Sequence, residues 1–276
     1  MVFGAVVVPV FVVRAQQPAP AASPATSAPV SESAATNTPA SPTTAAIAPL
    51  RPNTAIIPQL NPPFMRAHTN FVEGAKKGDI DVLFMGDSIT DWWRNPGRGA
   101  RTNGTEVVIP MGGKAVFEKY FGSMKVANFG IAGDTTQGVL WRLRHGEGEG
   151  YKLKAIMLMI GTNNTGRNSP PEIMMGVADI VFELRKDFPD AKILLLGIFP
   201  RSDPASKVRA QIDEINRIIS ALHDNQHVFY RDSGLKFLAA DGSIPKDIMS
   251  DGLHPTSKGY EIWAVAVHDT LVSFLQ

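Results

Sequence analysis

From residue 79 onward, two kinds of hydrophobic patterning alternate along the chain. Short apolar runs recur at 79–85 (DIDVLFM), 124–129 (MKVANF), 155–160 (AIMLMI), 192–199 (KILLLGIF) and 227–230 (HVFY). Several have almost no polar interruption, as strands covered on both faces require. Between them, apolar residues return at helical spacing. Residues 113–121 (GKAVFEKYF) form one such stretch. A second starts at Asp134, carries Val139, Leu140 and Leu143 on one face, and ends near Gly146. Pro170-Pro171 opens a third, running to Phe188, with proline in its favoured early position. Residues 204–223 and 256–275 complete the set. Strands alternating with helices predict an α/β fold, a parallel sheet with helices on both faces. Ligands in such folds bind beyond the carboxyl ends of the strands.

The first 63 residues differ. Residues 1–13 are uncharged and Val-rich, shorter than the ~20 residues a membrane span needs. Val13-Arg14-Ala15 places small residues around a cut after Ala15, so 1–15 is read as a signal peptide and the protein as exported. Residues 16–63 are dominated by Ala, Pro, Ser and Thr and predict a disordered linker. The folded domain is expected over 64–276. Residues 94–112, rich in Gly and Arg, are expected to form a loop near the site mouth.

Composition narrows the functional classes. Lys and Arg total 27 and Asp and Glu 26, a net charge of +1 that gives no electrostatic reason to expect nucleic acid or an anionic membrane. The chain has no cysteine, which excludes disulfides, Cys-based metal sites and a thiol nucleophile. His68, His145, His223, His227 and His268 have no partner at metal-ligand spacing and are read as surface or satisfied residues. Gly-x-Ser-x-Gly, His-Glu-x-x-His and phosphate-loop patterns are absent.

Candidate chemistry gathers at the strand ends. The first strand runs into Gly86-Asp87-Ser88, with the serine where a helix begins and backbone N–H groups are unpaired. A serine hydroxyl is a weak nucleophile until a base takes its proton. The second strand leads to Gly133, where a backbone N–H can approach a reacting group closely. The third ends in Gly161-Thr162-Asn163-Asn164, and a side-chain amide can donate to an oxyanion without changing charge. Before the last helix comes Asp251-Gly252-Leu253-His254, an acid spaced to orient a histidine. Singly, each signal reads as a turn or a cap. Together they place a nucleophile, two oxyanion donors and an Asp–His pair at one sheet edge. Trp92 and Trp93, just after Ser88, are candidates to line a substrate pocket or to pack in the core, and Arg201 is a candidate for the site edge.

These blocks resemble those of the SGNH hydrolase superfamily of GDSL esterases and lipases. Ser88 matches its first block, Gly133 its second, Asn163 its third, and Asp251 with His254 its last. The stretch 128–143 is similar to the branch containing platelet-activating-factor acetylhydrolase catalytic subunits. The third block departs from the common pattern by ending in Asn164 where many members carry Asp. The resemblance implies a flavodoxin-like three-layer α/β/α domain with a five-stranded parallel sheet. It also implies a catalytic triad of Ser88, His254 and Asp251. The implied oxyanion hole comprises the N–H groups of Ser88 and Gly133 and the amide of Asn163. The mechanism this implies needs neither a metal nor an organic cofactor. The implied activity is hydrolysis of short acyl esters, acetyl above all, with O-acetylated carbohydrate as a natural substrate for an exported enzyme. Lysophospholipase or thioesterase action and acyl transfer to a sugar are the alternatives.

Overall fold

The computed structural model describes residues 51–102, 105–109 and 111–276. Five parallel strands form the central sheet: β1 (Val82–Gly86), β4 (Val126–Asn128), β5 (Ala155–Met159), β6 (Lys192–Leu196) and β7 (Val228–Arg231). Their spatial order is β4-β1-β5-β6-β7. Val82 pairs with Val126 on one side and Ala155 on the other, so β1 lies between β4 and β5. Chain order reverses there, the position at which doubly wound sheets open a ligand crevice.

The apolar runs follow from two buried faces. Side chains alternate across a strand. Leu83, Met85, Ile156, Leu158, Ile193 and Leu195 face one helical layer. That layer comprises α1 (Met65–Ala75), α4 (Thr136–Arg142), α5 (Pro170–Asp187) and α6 (Lys207–Ile219). Val82, Phe84, Met157, Met159, Leu194 and Leu196 face the other. There α3 (Lys114–Phe121) and α7 (Ser257–Leu275) supply Val116, Phe121, Trp263, Val267 and Leu271. The result is the expected three-layer α/β/α fold.

Two sequence expectations are corrected. Residues 94–112 are not simply a loop. They contain β2 (Arg98–Thr102) and β3 (Thr105–Ile109), an antiparallel pair in which Thr102 opposes Thr105. Asn103-Gly104 lies between them in sequence, a dipeptide strongly favoured in two-residue hairpin turns. The linker boundary also moves. Thr54–Ile56 form a 3₁₀ turn capped by Asn53, Ala55 is fully buried, and the Thr136 hydroxyl donates to the Ala55 carbonyl at 2.8 Å. The proline-rich composition hid one small buried residue and its carbonyl anchor. The expected signal peptide at 1–15 and the linker up to residue 50 lie outside the described residues.

Candidate active site

Ser88 opens α2 (Ser88–Asp91), a single turn directly after β1. Asp87 caps that turn by accepting a hydrogen bond from the Ile89 N–H at 3.0 Å. From the opposite side, the Tyr260 hydroxyl of α7 donates to the Ile89 carbonyl at 2.7 Å. The serine is therefore fixed by both its strand and the C-terminal helix. It is nearly buried.

His254 reaches it from the turn before α7. Ser88 Oγ lies 2.9 Å from His254 Nε2, and His254 Nδ1 lies 2.7 Å from Asp251 Oδ2. An ionised Asp251 accepts the Nδ1 proton, which leaves Nε2 to accept the Ser88 hydroxyl. The other carboxylate oxygen, Oδ1, accepts the backbone N–H groups of Leu253 and His254 at 2.9 and 2.7 Å. One side chain thus holds both the ring and the backbone that carries it. Partial burial works to raise the Asp251 carboxyl. These hydrogen bonds, that of the His254 ring foremost, outweigh burial and hold it below the usual carboxylate range.

Gly133 follows β4 with φ +84°, a conformation that suits glycine. Among the described residues, no acceptor takes the N–H of Gly133 or of Ser88. Asn163 follows β5 and donates one amide proton to the Asp134 carbonyl at 2.8 Å, leaving its second free to donate elsewhere. Its neighbour Asn164 is fully buried, accepts the Thr136 N–H and donates to Gln137. The two asparagines therefore divide the work: Asn164 braces the fold, and Asn163 presents an amide beside Gly133.

The tryptophan pair also divides. Trp92 stacks on the His254 ring, centroids 4.0 Å apart and planes 18° from parallel. Trp93 is 1% exposed and packs in the core against Tyr260 and Trp263. Arg201 does sit at the edge, its Nη1 3.4 Å from both the Thr162 carbonyl and hydroxyl.

A buried ionic network beneath Gly133 was not anticipated. Arg142 pairs with Asp134, the residue after Gly133, at 2.9 Å, and also with Glu147. Glu147 in turn meets the buried His68 at 2.9 Å. Burial works against the Arg142 charge, but Glu147 and Asp134 outweigh it and raise its pKa further. The available signal was an arginine at the core-facing edge of an apolar helix. Asp87 is another perturbed acid. Burial pushes it from 3.8 up to about 7, against the Ile89 N–H.

Among the described residues, no group of three or more His, Asp or Glu side chains is arranged to hold a metal, and no helix is long and apolar enough to cross a membrane.

A profile of the GDSL-like lipase/acylhydrolase family matches residues 84–262. The human platelet-activating factor acetylhydrolase IB subunit alpha2 is 31% identical over 214 residues, covering 77% of this chain and 85% of that protein. The human alpha1 subunit is 31% identical over 215 residues, 77% of this chain and 84% of that one. Among solved structures, a GDSL-like lipase from Bacteroides thetaiotaomicron superposes with a TM-score of 0.58 at 19% identity, covering 76% of this chain and 97% of the other. A carbohydrate acetylesterase from Sinorhizobium meliloti superposes with a TM-score of 0.51 at 19% identity, covering 70% and 99%.

Proposed function

The chain belongs to the GDSL-like lipase/acylhydrolase family, within the SGNH hydrolase superfamily, and is an ester-hydrolysing enzyme; on that premise we propose that it removes short acyl groups, acetyl above all, using Ser88 as nucleophile. The observation that carries this reading is the unbroken hydrogen-bonded chain from Asp251 through His254 to Ser88.

His254 Nε2 takes the hydroxyl proton as Ser88 Oγ attacks the ester carbonyl carbon. The carbonyl oxygen becomes an oxyanion, received by the N–H groups of Ser88 and Gly133 and the free amide proton of Asn163. Asp251 stabilises the imidazolium without taking its proton. The tetrahedral species collapses, the bond to the alcohol oxygen breaks, and His254 returns the proton to that oxygen. Water then attacks the acyl-serine by the same route, releasing the acid and restoring Ser88.

The acetyl preference draws on the relatives, which are named as acetylhydrolases. The surroundings agree with it. The clefts beside Gly133 and Asn163 present Gln59, Asn61, Gln137, Thr162 and Thr165, a lining suited to a polar alcohol part and a small acyl group. The reading includes export, suggested by the apolar run at 1–13, with O-acetylated carbohydrate as the natural substrate.

The test is a panel of p-nitrophenyl esters of increasing acyl length. Wild type is expected to be fastest on acetate. Ser88→Ala and His254→Ala should each lower kcat by roughly 10⁴–10⁶-fold, as in other serine triads. Asn163→Ala should lower it by about 10²–10³-fold, the cost of one oxyanion donor. An optimum at long acyl chains would replace this reading with a lysophospholipase or thioesterase. Acyl products formed with added sugars would replace it with a transferase. Activity that survives Ser88→Ala would overturn the nucleophile.

A further inference from the structure

The cleft on the Asn163 side of the site carries an unusual charge pattern. Arg167, Arg201 and Lys207 line it together with Asn163 and Thr162, and no acidic side chain is among its lining residues. The chain as a whole is almost neutral, at +1, so this concentration does not reflect a basic protein. Arg167 and Lys207 are exposed, and among the described residues neither side chain meets a carboxylate. Arg201 is held against Thr162 at its Nη1, while its Nε is buried without a hydrogen-bond partner. The Asp87 carboxylate lies close enough to feel the Arg201 charge but is not part of the cleft wall.

Three cations gathered in a cleft wall that holds no acidic side chain repel one another, and an anion placed between them relieves that cost. Guanidinium groups match the planar, two-oxygen geometry of carboxylates and also suit phosphates. The loop that carries Arg167 is braced. Gln211 accepts the Gly166 N–H at 3.3 Å and donates to the Asn168 carbonyl at 2.7 Å. Arg167 also lines the neighbouring cleft beside Gly133. The cationic wall therefore adjoins Gly133 and Asn163, two of the three residues assigned to the oxyanion.

We propose that this cleft binds an anionic group carried by the ester substrate, a carboxylate or a phosphate, and makes the enzyme selective for negatively charged acetyl esters. The inference rests on the esterase reading of the same site.

The test compares acetate release from three probes with matched benzylic leaving groups: 4-(acetoxymethyl)benzoate, 4-(acetoxymethyl)phenyl phosphate and the neutral 4-(acetoxymethyl)benzamide. Wild type is expected to favour at least one anionic probe over the benzamide by about tenfold in kcat/KM at low ionic strength, the size of one modest charge-assisted contact. Which anion is favoured identifies the source, carboxylate or phosphate. The ratio should shrink as salt rises, because exposed charges are screened within about 10 Å at 0.1 M. It should approach one in the double variant Arg167→Gln/Lys207→Gln, whose two sites are exposed. Equal rates on all three probes, or a preference that survives the double variant, would overturn the inference while leaving the esterase reading intact. Failure to release acetate from any probe would overturn both.

Discussion

Two residues beside the nucleophile lead to separate predictions. Trp92 lies flat on the His254 ring. An aromatic face favours a cation stacked on it by roughly 0.5–2 kcal/mol. In the proposed mechanism an imidazolium forms as Ser88 gives up its proton, so Trp92 acts on the reacting state and positions the ring. Trp92→Leu is expected to lower kcat about tenfold with KM little changed, and a drop confined to KM would assign Trp92 to substrate binding. Asp87 concerns stability. Its ordinary value of 3.8 rises in the fold to about 7, chiefly through burial. Between those values the folded state holds more protons than the unfolded one, so stability falls as pH rises. The penalty is complete above about 7 and amounts to roughly 4 kcal/mol. Asp87→Asn retains an oxygen to cap Ile89 and removes the charge. Its melting temperature should exceed that of wild type at pH 8, and the gap should close toward pH 4. A gap independent of pH would rule this account out.

Elements differ in how far the sequence exposed them. The three central strands β1, β5 and β6 were legible because both faces are buried, which leaves runs such as AIMLMI with no polar member, while the shorter, half-buried edge strands β4 and β7 showed as runs with polar residues among them. Ser88, Gly133, Asn163 and His254 were legible because strand ends and helix starts are marked by short polar motifs. The antiparallel pair β2–β3 was obscured by its Gly and Arg content. The network of Asp134, Arg142, Glu147 and His68 could not be read, since its members are joined only once α1 packs against the turn after α4. That network ties α4 to the loop bearing Gly133. Removing one partner of a buried ion pair leaves an uncompensated charge and costs about 3–5 kcal/mol. Arg142→Met strands both Asp134 and Glu147, so its urea midpoint should fall accordingly. Because Asp134 adjoins Gly133 and receives the Asn163 amide, kcat should fall as well. Lost stability with undiminished kcat would confine the network to a structural role.

At the scale of the whole molecule, the folded unit extends beyond the matched family region. Residues 84–262 match the family profile, yet the segment from residue 53 is packed onto α4 and α5. Gly176 on α5 permits that contact, since a Cβ there would lie 2.7 Å from the Ala55 carbonyl. Gln59 donates its backbone N–H to the Gln137 carbonyl at 3.1 Å, and Gln59 and Asn61 then form one wall of the cleft beside Gly133. The segment thus contributes both to the core and to the site, and two truncations separate it from the sequence before it. A chain starting at Leu50 keeps every contact just named; one starting at Phe64 loses them all. Removing the buried Ala55, the Thr136 hydrogen bond and the Gln59 tether should cost a few kcal/mol. For a domain of this size that lowers the melting temperature by roughly 5–10 °C. The shorter chain should also hydrolyse acetyl esters with a raised KM, because the polar wall beside the oxyanion is gone. Equal melting temperatures and equal KM for the two chains would show that the segment contributes to neither, and would return the domain boundary to residue 64.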